Sequence, residues 1–184
     1  MQSVSRVSAF IFGVLMMGLC FVIGAETVLR KFFSISLGGV DELSGYAIAV
    51  GAPLAFAIAL VEQSHIRINL LHMNMPNWMQ ALVNALASLT LGLLALFLFY
   101  FSYRTVIETF EYKSIAQTPW ATPLIWPQAI WLIGMGVFTL VALVLAVRAV
   151  SLLLRGRAAE LRREFGPDTV EDELAAELSD LEQR

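Results

Sequence analysis

Between Trp78 and Tyr103 the chain runs for 26 residues without an aspartate, glutamate, lysine, arginine or histidine. A helix of roughly 20 apolar residues crosses a hydrocarbon core of about 30 Å, and in lipid every backbone polar group has to be paired inside its own segment. Three further segments meet that length. Val7 to Leu29 has 23 residues with Glu26 as its one charged side chain, Leu43 to Val61 has 19 with none, and Gln128 to Leu154 has 27 with Arg148 near its end. Only 15% of the 184 residues are charged against 58% that are apolar, too little charge to clothe a soluble domain, where about a quarter of residues carry one. The expected fold is therefore all-α: a polytopic membrane protein with four transmembrane helices at about 7–29, 43–61, 78–103 and 128–154. The connections are short, so neighbouring helices are expected to run antiparallel.

Lysine and arginine concentrate on the cytoplasmic side of membrane proteins. The N-terminus, second loop and C-terminal flank carry Arg6, Arg67, Arg155, Arg157, Arg162 and Arg163; the first and third loops carry Arg30, Lys31, Arg104 and Lys113. Both termini are accordingly expected in the cytoplasm. A competing reading takes the first segment as a signal peptide, with a basic lead and Ile23-Gly24-Ala25 as a cleavage site. Its apolar stretch is longer than the usual 7–15 residues, and bulky Ile23 stands where a small residue is wanted.

The net charge of −3 divides unevenly: residues 1–157 sum to +3 and residues 158–184 to −6. A boundary is expected at about residue 155, with a four-helix membrane domain over 1–155 and an acidic cytoplasmic tail over 156–184. Ala158 to Phe165 can continue as helix until Gly166-Pro167 stops it. Beyond, Asp168 or Thr169 can cap a short amphipathic C-terminal helix with Val170, Leu174, Leu178 and Leu181 on one stripe. That stripe either faces a protein partner or belongs to a loosely ordered solvated tail.

Pathways through a bilayer keep ionisable groups at mid-depth, where a charge costs several kcal/mol, and these spans have almost none. Glu26 stands four residues from the end of the first span with Arg30 at i+4, the spacing of a local ion pair; as a proton-coupling group it would need polar partners, for which Asn84, Ser88, Thr90 and Thr139 are the candidates. A haem anchor would place histidines within the spans, whereas His65 and His72 both fall in the second connection, which suits a short helix in the headgroup plane. There they are either solvated side chains or ligands. The single Cys20 offers no disulfide, and the scattered arginines make no nucleic-acid-binding face. No catalytic, cofactor-binding or metal-ligating set is expected.

Two surfaces stand out. Ala47, Gly51, Ala55 and Ala59 recur every four residues along the second span, either a stripe for close approach of another helix or plain alanine richness. Pro53 adds a kink that a neighbour must accommodate. In the third connection, Arg104 to Lys113 is expected to prolong the third helix. Pro119, Pro123 and Pro127 then enforce extended or turning backbone, with Trp120, Trp126 and Trp131 at interface depth. This reads as a rigid lip on the outer face, serving as a docking surface or as an interfacial anchor.

Three stretches carry a family pattern. Arg30 follows the first span and Asp41-Glu42-Leu43 opens the second; Glu62-Gln63-Ser64-His65-Ile66-Arg67-Ile68-Asn69 closes it; and Thr118-Pro119-Trp120, Pro123 and Trp126-Pro127 precede the fourth. With the four-span layout they resemble, over residues 1–155, the small Q subunit of tripartite ATP-independent periplasmic (TRAP) transporters. Val40 stands where family members often have tryptophan, and Asn69 where they often have aspartate. The resemblance implies a bacterial inner-membrane uptake system in which a periplasmic substrate-binding protein delivers a solute, typically carboxylate-bearing, to a large polytopic membrane subunit driven by a sodium gradient. The small subunit would be a non-catalytic scaffold beside it, embedded among membrane lipids. On this reading Arg30, Asp41 and Glu42 form an ion-pair group fixing the first hairpin, and His65 and Arg67 contact headgroups or the large subunit. Two alternatives stand beside it: a self-sufficient proton-coupled exporter using Glu26, and a general assembly anchor for an enzyme complex.

Overall fold

The computed structural model describes residues 2–62 and 75–166. Five α-helices occupy them: α1 Gln2–Phe33, α2 Val40–Glu62, α3 Asn77–Tyr112, α4 Ile125–Leu154 and α5 Ala158–Phe165. The first four are each long and apolar enough to cross a membrane. All four expected spans are present, and each helix outruns its apolar segment. Arg30 and Lys31 lie in the last turn of α1, where positive charge complements the carbonyl end of the helix dipole. Asp41 and Glu42 lie in the first turn of α2, where negative charge is favoured for the same reason. The expected prolongation of the third helix is there, ending at Tyr112.

The helix ends explain the chain reversals. Lys113 takes a left-handed φ of 50°, and the Ser114 N–H donates back to the Thr109 carbonyl at 3.1 Å, closing α3 with a Schellman turn. Gly156, with φ 69°, ends α4 in the same way: the Gly156 N–H reaches Leu153 O and the Arg157 N–H reaches Leu152 O, both at 3.0 Å. The expectation for Pro127 is corrected, because it lies inside the first turns of α4. Proline is tolerated there because the first N–H groups of a helix have no intrahelical partner to lose.

The chain divides into two compact units, Met1–Ser64 with Leu94–Ala142 and His65–Leu93 with Leu143–Arg184. In the first, α1 and α2 approach closely where Gly51 meets the ring of Phe12, which a side chain at 51 would overlap. Pro53 is buried within α2, and a Cβ at Gly134 would stand 3.1 Å from its Cβ; Gly134 on α4 is thus the neighbour that accommodates the proline. The Thr139 hydroxyl donates to the Ala95 carbonyl at 3.2 Å, joining α3 to α4. Along α3, Ser102 in this unit and Ser88 and Thr90 in the second donate to carbonyls one turn back in their own helix, so these span hydroxyls are satisfied by the backbone.

In the second unit α5 folds back on its neighbours. Leu161 and Phe165 are buried with Ala81 and Ala85 of α3 and Ala149 and Leu152 of α4. Each such large side chain contributes about 1.5–3 kcal/mol relative to exposure in water. Arg148 pairs with Glu164, Arg157 with Glu160 at 2.6 Å, and Arg162 donates to Asn77 Oδ1 at 2.6 Å. The change of character at Arg155-Gly156-Arg157 is therefore a reversal of direction and not an end of packing. The helix expected beyond Asp168 lies outside the described residues.

Candidate functional site

The α1–α2 turn and the α3–α4 connection build the one intricately bonded polar region of the first unit among the described residues. In the turn, Gly38 and Gly39 hold φ of 60° and 82°, a left-handed conformation that glycine adopts without steric penalty. In the connection, Ile115 and Pro123 form an antiparallel bridge. The Ala116 N–H donates to Thr122 O at 2.9 Å and the Leu124 N–H to Ser114 O at 3.1 Å. The tip is a β-turn closed by the Ala121 N–H on Thr118 O at 3.0 Å, with Pro119 at its second position, where a fixed φ suits the turn.

This rigid loop rests on the glycine turn. A Cβ at Gly38 would contact Pro119, and one at Gly39 would overlap the ring of Trp120. Of the three tryptophans expected at interface depth, Trp120 lays its ring on Gly39 and is otherwise exposed, as is Trp126.

Glu42 is the centre. It is 5% exposed, and its Oε2 accepts from the Thr122 hydroxyl at 2.7 Å and from the Tyr46 hydroxyl at 2.9 Å. A buried carboxylate is costly unless its oxygens are hydrogen-bonded. Its second oxygen, Oε1, is buried and has no hydrogen-bond partner, and neither has the buried hydroxyl of Thr118. Both residues line an open cleft of about 580 Å³, together with Asp41, Tyr46, Ser114 and Gln117. Ile115, Ala116 and Leu124 give it an apolar flank, and no basic residue lines it.

The expected ion-pair group of Arg30, Asp41 and Glu42 is not what forms. Among the described residues Glu42 is held by two hydroxyls, and Asp41 and Arg30 are exposed. The expected Glu26–Arg30 pair is likewise replaced: the Glu26 carboxylate accepts from the Ser36 hydroxyl at 2.6 Å and the Leu37 N–H at 2.7 Å, tying down the chain that leaves α1. Arg30 adds only an electrostatic attraction to the Glu26 carboxylate, weaker than these two hydrogen bonds.

The small-residue stripe divides. Gly51 is buried, Ala47 and Ala59 are half-buried and Ala55 is exposed, while Pro53, Ala57 and Leu60 complete the buried face. Pro119 and Pro123 sit in the loop and Pro127 in α4, and His65 and Arg67 lie outside the described residues. Sequence reasoning missed Thr122 and Tyr46. Tyr46 had a signal, standing one helical turn beyond Glu42; Thr122 had none, being 80 positions away.

With four helices of membrane-crossing length and apolarity among its described residues, the chain is an integral membrane protein of the multi-pass kind. Within that class, the family model described as tripartite ATP-independent periplasmic transporters, DctQ component, matches residues 19–152, and the chain belongs to that family. It is a transporter-component family and not an enzyme family. No curated protein matches the chain.

Proposed function

We propose that this chain is the non-catalytic small permease subunit of a TRAP-type secondary transporter. It scaffolds a large polytopic membrane subunit in the bacterial inner membrane. A periplasmic substrate-binding protein supplies the solute, a carboxylate-bearing compound, and a sodium gradient drives its uptake. Both termini are cytoplasmic, so the Glu42 cleft and the loop of Pro119 and Pro123 face the periplasm. The 1–155 portion is the membrane domain, and 156–184 is the acidic cytoplasmic portion.

The observation that carries this reading is the emptiness of the spans. No charged side chain lies between Leu43 and Val61, between Trp78 and Tyr103 or between Gln128 and Val147, so these three spans offer an ion or a carboxylate no counter-charge at mid-depth. Glu26, the group an exporter would need, is engaged with Ser36 and Leu37 at the end of α1. Ala55 lies on an exposed part of α2, open to the large subunit, with Ala47 and Ala59 beside it. Arg30 and Asp41 present opposite charges to the two protein partners. His65 and Arg67 contact the large subunit or lipid headgroups on the cytoplasmic side, and Pro127 sets the start of α4.

Reconstitution tests the reading. The chain alone in proteoliposomes is expected to move no solute, whereas with the large subunit and the binding protein it supports uptake that collapses when the sodium gradient is removed. Solute flux through the chain alone overturns it.

A further inference from the structure

The cleft beside Glu42 is incomplete in one respect: it holds a buried carboxylate oxygen with no donor and a buried hydroxyl with no partner. Oε1 of Glu42 and Oγ1 of Thr118 are both buried and unpartnered, although Glu42 is fixed in place through its other oxygen by Thr122 and Tyr46. A carboxylate removed from water and left half-satisfied is kept where a donor completes it. The cleft also carries Asp41 at its edge and no positive charge among its lining residues, so its complement is a cation.

Size and shape narrow the cation. At about 580 Å³ the cleft has room for far more than a single water, whose share of liquid volume is roughly 30 Å³. Its flank of Ile115, Ala116 and Leu124 suits an aliphatic stem of the kind that long basic side chains lay along apolar surface. A guanidinium has donors in a fixed fork, able to serve two acceptors at once and to make a charge-assisted bond to the carboxylate. We propose that the Glu42–Thr118 cleft is the receptor for an arginine side chain presented by a protein partner that docks on the α1–α2 turn and the α3–α4 loop. The proposal rests on the reading of the chain as one subunit of a larger assembly and gives that assembly a specific contact.

The full chain in lipid nanodiscs, with methyl-labelled alanine and isoleucine, is titrated with butylguanidinium, a mimic of the arginine side chain, and separately with sodium chloride. The methyl resonances of Ala116 and Ile115 are expected to shift with butylguanidinium and not with sodium. Binding should be about tenfold weaker in Glu42→Gln, the loss expected for one charge-assisted hydrogen bond, and weakened also in Thr118→Val, which leaves the Glu42–Thr122–Tyr46 bonds untouched. An unchanged shift in both variants, no shift at millimolar probe, or an equal response to sodium overturns the proposal; the last replaces it with a metal-ion site. Because the readout needs no partner, a transport-competent complex whose small subunit ignores butylguanidinium refutes this contact alone.

Discussion

The two units treat their polar groups differently. In the second, Arg148, Arg157 and Arg162 find partners within the unit, and Leu161 and Phe165 seal a core against small alanines. In the first, the most buried carboxylate is pinned through one oxygen and leaves the other, also buried, without a partner beside a cleft. Buried atoms without a partner occur in both, Arg162 Nε in the second and Glu42 Oε1 and Thr118 Oγ1 in the first among them; the difference is that Glu42 and Thr118 line one cleft. A self-contained region is sensitive to loss of volume; a receptive one is sensitive to loss of a donor or acceptor and tolerant of volume change at its rim.

The contrast is most sharply tested by Leu161→Ala. Truncating a fully buried leucine is expected to cost about 2–5 kcal/mol, seen as a lower thermal midpoint of the purified chain and as tryptic cleavage after Arg155 and Arg157. Unchanged protection there would mean that α5 does not close the second unit.

Glu42→Ala removes the acceptor of two hydroxyls and is expected to cost about 1–3 kcal/mol. Its signature is faster amide hydrogen exchange at Ala116 and Leu124 with α5 unaffected; a loss spread evenly over both units would blur the distinction. Gly39→Ala comes next, at about 1–2 kcal/mol for a left-handed φ carrying a Cβ, and it displaces the Trp120 ring, which tryptophan fluorescence reports. Glu26→Gln is expected to leave sodium-driven uptake by the reconstituted complex unaltered, since its bonds only secure the chain leaving α1. Abolished coupling in that variant would restore the exporter reading.

The spans were legible because length and absence of charge are what a bilayer demands, and those are written residue by residue. Their limits were less so. Arg30-Lys31 and Asp41-Glu42 break an apolar run yet belong to helices, because charges at the two termini complement the dipole. Pro127 looks like a helix breaker but is harmless in a first turn.

The site was legible only in part. The Thr118-Pro119-Trp120 turn and the acidic pair could be picked out as local patterns. That the turn would lay Thr122 on Glu42 depends on a glycine corner receiving an indole ring, a fit between segments that share no periodicity. In place of the ion pairs expected from opposite charges nearby, Glu26 takes a hydroxyl and a backbone donor and Glu42 takes two hydroxyls, partners that local charge patterns do not reveal.

The cluster around Leu161 also constrains how the protein is made. Its walls are Ala81 and Ala85, Ala149 and Leu152, and its plug is Leu161 and Phe165, so the walls come off the ribosome before the plug does. Until the Gly156 turn has been synthesised and α5 has swung back, the alanine faces of α3 and α4 in that unit stay uncovered. The closure of the second unit is thus a late event in biogenesis, and a chain interrupted shortly after Leu154 would insert its helices yet lack the piece that seals them.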